Sequence, residues 1–207
     1  MPTESHDVVV VGGGTSGSFA ASTVADAGLD VVLLERKPEE EAGHIACGDA
    51  VKGKSTFPDV IDREYLKSEA FTNENIQRAR FENPQTGEVL DLPFEEPGAV
   101  VDRRRYGEVL LEEAERLGTD IRYNTLVQDV LQEDGQVVGV STRKNGSTTR
   151  FDAEVVIDAA GAMSILQDHA DFSEATFDTK VNYRQFCSAY REVIKTDRPV
   201  EYDDAIV

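Results

Sequence analysis

The stretch Asp7–Glu35, DVVVVGGGTSGSFAASTVADAGLDVVLLE, contains every part of a dinucleotide-binding βαβ unit. The apolar run Val8 to Val11 predicts a buried strand, and it feeds directly into Gly12, Gly14 and Gly17 at G-x-G-x-x-G spacing. Ala20, Ala21, Ala25 and Ala27 predict a small-residue helix that stops at Gly28. A second apolar run, Val31 to Leu34, ends on Glu35, twenty-one residues past Gly14. Each residue type has a physical task in such a unit. Gly12 permits the tight turn, Gly14 lets the backbone approach a pyrophosphate, and Gly17 lets helix and strand pack closely. The helix N-terminus offers unpaired N–H groups and the positive end of its dipole to phosphates. Glu35 stands where a carboxylate accepts hydrogen bonds from ribose hydroxyls. A glycine triplet alone is a common turn; here strand, helix, second strand and terminal acid share one register.

The 207 residues allow one sizeable domain, or one and part of a second. No run approaches the ~18 apolar residues of a membrane span. The opening MPTESHD lacks the basic and apolar regions of a signal peptide. Cys47 and Cys187 fit a reducing compartment rather than a disulfide framework. These features predict a cytoplasmic protein. Asp plus Glu number 40 against 21 Lys plus Arg, a net charge of −19, which argues against binding nucleic acid through its phosphates. The acids are dispersed, and Arg (14) outnumbers Lys (7). An ordinary acidic enzyme has such a charge; a protein adapted to molar salt fits it better, because a Debye length of about 3 Å screens the self-repulsion.

After Glu35 the pattern changes. Residues 36–60 are rich in Gly, Pro and charge and read as an extended loop. Between 61 and 100 only short segments look regular, with NPQTGEV at 83–89 resembling a hairpin turn. Asp102 is a candidate N-cap for a helix over 103–117, where Tyr106, Val109, Leu110, Ala114 and Leu117 recur at helical spacing before Gly118. A strand follows near 120–124. Asp134-Gly135 and Asn145-Gly146 mark hairpin turns of a β-meander over 125–151. Val155, Val156 and Ile157 then predict a short buried strand, closed by DAAGAMS at 158–164. Beyond about 166 the pattern weakens, and 180–195 is compatible with either strand or helix. A nicotinamide dehydrogenase would keep alternating strand and helix. A meander before the next parallel strand instead resembles the glutathione-reductase-type flavoprotein fold, an α/β Rossmann fold with an inserted meander whose nucleotide is FAD.

Three further segments sharpen the resemblance. ACGDA at 46–50, RRRYGEVL at 103–110 and VVIDAAG at 155–161, together with the glycine fingerprint, are similar to the FAD-dependent geranylgeranyl reductase family. The likeness covers about 1–165 well and 166–207 poorly. It implies an FAD-binding domain over 1–165 and the beginning of a substrate domain over 166–207. It implies further that Gly12, Gly14 and Gly17 cradle the FAD pyrophosphate and that Glu35 holds the adenosine ribose. Cys47, Gly48 and Ala50 would pass close to the flavin ring, with Cys47 either the catalytic thiol or a small buried hydrophobe. Arg103 would reach the diphosphate or ribityl region, since its planar fork suits phosphate oxygens. Arg104 and Arg105 read as a solvated pair. The Val127 backbone would meet the adenine, and Gly161 would allow close approach of chain to cofactor. No metal site is expected: His44 reads as a surface residue, and His6 and His169 have no assigned role.

The implied activity is saturation of isolated C=C bonds in the prenyl chains of membrane lipids, with an external electron donor and peripheral contact with the membrane. Two features depart from the family pattern. Ala46 and Ala50 stand where Arg and Gly are common, and no late strand–Gly-Asp–helix segment closes the site. The sequence is therefore expected to be the N-terminal part of a longer enzyme, completed by a C-terminal half or a partner chain. A flavin-dependent monooxygenase of the same fold is the nearest alternative, disfavoured because Ala160-Gly161 replaces its usual Asp-Gly pair. A non-catalytic nucleotide-binding fragment is the other.

Overall fold

The computed structural model describes residues 1–44, 46–51 and 58–164, and further on 167, 169–171, 187–190, 192, 194–195, 197 and 204–206. Strand β1 (Thr3–Val11), helix α1 (Thr15–Asp26) and strand β2 (Val31–Leu34) form the opening βαβ unit. Val8–Val11 pair in parallel with Val31–Leu34, and all eight side chains are buried. The alternation of strand side chains divides them between two clusters. Val8, Val10, Val31 and Leu33 pack with Ala21 of α1, while Val9, Val11, Val32 and Leu34 pack with residues of the meander. Burial on both faces is why these runs are continuously apolar rather than alternating.

Helix α3 (Arg103–Arg116) starts where expected, because the Asp102 carboxylate accepts from the N–H groups of Arg104 and Arg105. It leads into β6 (Asp120–Arg122), which pairs in parallel with β2. The meander consists of β7 (Leu126–Glu133), β8 (Gln136–Lys144) and β9 (Ser147–Asp158). Both turns have positive φ at their two central residues, 51° and 79° at Asp134-Gly135 and 50° and 82° at Asn145-Gly146, as a tight hairpin requires. The strand expected at 155–157 is not separate. It is the second half of β9, whose first half pairs with β8 while residues 150–158 pair in parallel with β1. Nor is it uniformly buried, since Val155 is 51% exposed. The resulting six-stranded sheet has the order β6-β2-β1-β9-β8-β7.

The region 61–100 is more regular than its sequence suggests. Helix α2 (Arg63–Ala70) is capped by Asp62, and the long strands β4 (Phe71–Glu82) and β5 (Val89–Val101) form the hairpin whose turn lies at 83–88. Most of β5 is exposed, so no burial period marks it in the sequence. Pro93 and Pro97 also read against a strand, but among the described residues β3 (Ala50–Val51) pairs with Val100 and Ala99 and Pro97 has no register partner, while Pro93 faces Arg78 where the β4–β5 ladder shifts register. Pro is tolerated where no ladder partner needs its missing N–H. A short β10 (Ala205–Ile206) lies parallel to β4, completing a second sheet of order β10-β4-β5-β3. Most of 180–195, left open between strand and helix, falls outside the described residues.

Candidate cofactor site

The carboxyl ends of β1, β2 and β9 meet at Val11, Leu34 and Asp158, and the glycine loop starts there. Gly12 has φ +102°, and a Cβ on it would lie 2.6 Å from the Ala159 carbonyl oxygen. On Gly17 a Cβ would lie 1.8 Å from the Gly12 oxygen. These two glycines are therefore demanded by backbone packing. Gly14 differs. It is the N-cap of α1, makes no side-chain cap and has no acid in the first turn, and a Cβ there would meet nothing within 4 Å. The N-terminus of α1 thus keeps orphan N–H groups facing open space among the described residues, a suitable place for phosphate.

Glu35 reaches back to this loop. Its Oε2 accepts from the Gly13 N–H at 2.6 Å and its Oε1 from the Lys37 N–H at 2.8 Å, and the residue is 7% exposed. A carboxylate has about four acceptor positions. Two are occupied, leaving capacity for a ribose diol. Gly13 and Lys37 were not singled out in the sequence; a Cβ on Gly13 would sit 3.0 Å from Glu35 Oε2, so the middle glycine serves the acid rather than the phosphate.

Arg103 occupies the first turn of α3. Its guanidinium carbon lies 4.7 Å from the Tyr106 ring centroid and the group hydrogen-bonds the Tyr106 phenol, while its Nε is buried without a hydrogen-bond partner among the described residues. Burial raises the Tyr106 phenol pKa, while the adjoining Arg103 pulls against that rise. A buried, orphaned guanidinium N–H is an unmet donor, which fits a site for anionic oxygens. Arg104 and Arg105 are spent elsewhere, on Glu108 and on Glu69, Glu112 and Tyr65. Through Tyr106 and Phe19, α3 packs against α1.

The Cys-Gly loop lies on the path from the first sheet to the second. Cys47 is half-buried with a free thiol; Gly48 and Ala50 are exposed. Asp49 has φ +61° and its carbonyl accepts from the Val101 N–H, after which Ala50 and Val51 join β5. Val127 is in the core beside Val9, with its side chain 8% exposed. Gly161, at φ +67°, opens a short turn that Asp158 ties down: its carboxylate accepts from the Ala160 N–H at 3.0 Å and the Ser164 hydroxyl at 2.6 Å. The structure thus unites Gly12, Gly14, Gly17 and Glu35 at one sheet end, with the turn before Gly161 beside Gly12. Arg103, Cys47 and Val127 sit on separate elements. A cavity of about 640 Å³ lies at the opposite, amino ends of the strands, lined by Asp7, Asp30, Glu133, Asp152 and Glu154 among others; its acidic wall does not suit a diphosphate. His44 contacts Glu108, and among the described residues no group of His, Cys, Asp and Glu could hold a metal.

Residues 7–167 match the family of FAD dependent oxidoreductases. A digeranylgeranylglycerophospholipid reductase of Methanothrix thermoacetophila is 33% identical over 163 residues, covering 76% of this chain and 40% of that one. The enzyme of that name from Sulfolobus acidocaldarius is 30% identical over 202 residues, 96% of this chain and 43% of its own. Among solved structures, a geranylgeranyl bacteriochlorophyll reductase-like protein of Thermoplasma acidophilum superposes with a TM-score of 0.61 at 29% identity, covering 74% of this chain and 38% of that one. The chain therefore spans about two fifths of the length of the curated relatives it matches.

Proposed function

Since the chain belongs to the FAD-dependent oxidoreductase family, we propose that the whole protein saturates C=C bonds in prenyl chains of membrane ether lipids. The geometry supports the cofactor half of this reading through one observation above others: buried Glu35, bonded to the Gly13 N–H, stands beside the open N-terminus of α1. The lipid half follows the names of the relatives. Reduced FAD, when bound, would supply hydride to one alkene carbon while a proton reaches the other. Gly12, Gly14 and Gly17 hold the pyrophosphate, Glu35 the ribose, and Arg103 the diphosphate or ribityl oxygens. The Val127 backbone contacts adenine. Gly48, Ala50 and Gly161 let the chain approach the ring, and Cys47 is the catalytic candidate beside it. An isolated alkene has no carbonyl to polarise, so the protein's part is to hold the double bond in line and exclude water.

Residues 1–165 form the FAD-binding domain in this reading, and 166–207 begin the substrate domain. No helix among the described residues is long and apolar enough to cross a membrane. In this reading contact with lipid is peripheral, from the cytoplasmic side, with a separate electron donor. The net charge of −19 supports adaptation to high salt; the melting temperature rises steadily with KCl in this account, and a flat profile refutes it. The activity test reduces the purified protein with dithionite and supplies geranylgeranylated lipid. Loss of double bonds by mass spectrometry supports the reading. Oxygen-dependent hydroxylation of an aromatic substrate would identify a monooxygenase instead.

A further inference from the structure

Helix α3 meets the loop leading to Cys47 where neither side has room for a side chain. Gly43 has φ +74°, and a Cβ there would lie 2.7 Å from the Gly107 carbonyl carbon and 2.8 Å from its oxygen. Conversely, a Cβ on Gly107 would lie 2.2 Å from the Gly43 oxygen and 2.6 Å from its carbon. Interiors are close-packed and backbone cannot yield cheaply to such overlaps. Each glycine is required by the other. Polar contacts flank the pair: His44 Nε2 lies 3.2 Å from Glu108 Oε1, and Lys37 Nζ donates to the His44 carbonyl at 2.7 Å. Cys47 is three residues past His44, so their Cα atoms are at most about 11 Å apart.

Gly107 is buried inside α3, where glycine weakens a helix relative to alanine. Its local cost has a reason if the helix must admit another backbone. It lies four residues after Arg103, hence on the same helix face and one turn along. We propose that Gly107 is a positioning residue: with Gly43 it seats the Cys47 loop on the α3 face that bears Arg103, so that a single helix sets the placement of both groups. The significance of that placement rests on the cofactor reading above; the contact itself does not.

The test is made without flavin, on the 207-residue chain, so that it fails or succeeds apart from the cofactor reading. N-ethylmaleimide alkylation of Cys47 and of exposed Cys187 is followed in the same sample by peptide mass spectrometry. Gly107→Ala is expected to speed Cys47 alkylation about fivefold, as for a loop that opens more often, with Cys187 unchanged and a lower Tm. A glycine that mattered only to the helix would give the opposite sign, a higher Tm. His44→Ala removes the Glu108 contact but leaves the glycine pair and the arginine bonds of Glu108, so it should accelerate Cys47 less, and it decides the matter if Gly107→Ala does not fold. Unchanged Cys47 rates, or equal acceleration of both cysteines, overturn the proposal.

Discussion

Strands β1 and β2 differ sharply from β4 and β5. In the first pair, Val8–Val11 and Val31–Leu34 are buried on both faces, between α1 on one side and the meander cluster on the other. In the second, residues 89–97 of β5 are exposed throughout. The hairpin register nevertheless sorts its faces. Phe81 pairs with Leu90 and Ala79 with Leu92 on one, whereas Arg80 pairs with Asp91 on the other, where Arg78 also bonds Asp204. Strands β1 and β2 thus have a complete core among the described residues, and the β4–β5 hairpin presents an apolar face that they do not cover. Stability should reside in the first, and substitution in the second should be mild.

The sharpest way to break this contrast is at Gly17, because no flexible atom can move out of the way there. Gly17→Val is expected to cost more than about 4 kcal/mol and leave the chain unfolded by circular dichroism. A folded variant would mean that the loop can rearrange. Next comes a matched pair of truncations. Leu34→Ala, at 1% exposure, should lower stability by about 3 kcal/mol, whereas Leu92→Ala, at 46% exposure, should stay within about 0.5 kcal/mol. Urea midpoints compare them directly, and equal losses would show that the hairpin face is covered.

Arg103→Ala sharpens the comparison for function rather than stability. Removing a charged donor from bound anionic oxygens should weaken FAD binding by about 1.5–3 kcal/mol, read by flavin fluorescence, with little change in Tm. The smallest effect concerns acid. Glu113 is 3% exposed and accepts from Arg116 and from the Asp62 N–H, tying α3 to α2. The Arg116 bonds hold its carboxyl below the ordinary value of 4.5, against burial and with help from the Asp62 N–H. A carboxyl depressed on folding adds stability above its unfolded pKa, and that share is lost as pH falls through the folded value. Glu113→Gln should therefore cost about 1 kcal/mol at neutral pH, given solvent screening at Arg116. Its melting temperature should also fall less steeply below pH 4.5 than the parent's.

Legibility in the sequence followed local chemistry and, for the strands, burial. The glycine fingerprint, the helix cap at Asp102 and both meander turns were readable because each is set by local chemistry: positive φ, an N-cap acceptor, continuous apolar runs. The β4–β5 hairpin was readable only at its turn, since exposed strands carry no hydrophobic period, and its two prolines argue against a strand until the ladder's irregularity is seen. β9 was divided in two because its first half belongs to a meander and its second to a parallel pair. In the site, Gly12, Gly14, Gly17 and Glu35 were legible as a motif, but Gly13 as Glu35's partner and Asp158 as the anchor of the Gly161 turn were not. Those roles depend on contacts across 22 residues for Glu35 and Gly13 and on a turn without periodic signal. The Gly43–Gly107 contact is likewise invisible along the chain, since each glycine alone reads as a break.

This chain's own residues would form the FAD site. The most direct test is the visible absorbance of the purified chain titrated with FAD in high salt, alongside Glu35→Ala. A shifted, structured flavin spectrum that saturates with the parent chain and is lost in the variant is expected. A chain that is folded by circular dichroism yet leaves the FAD spectrum unchanged would contradict it.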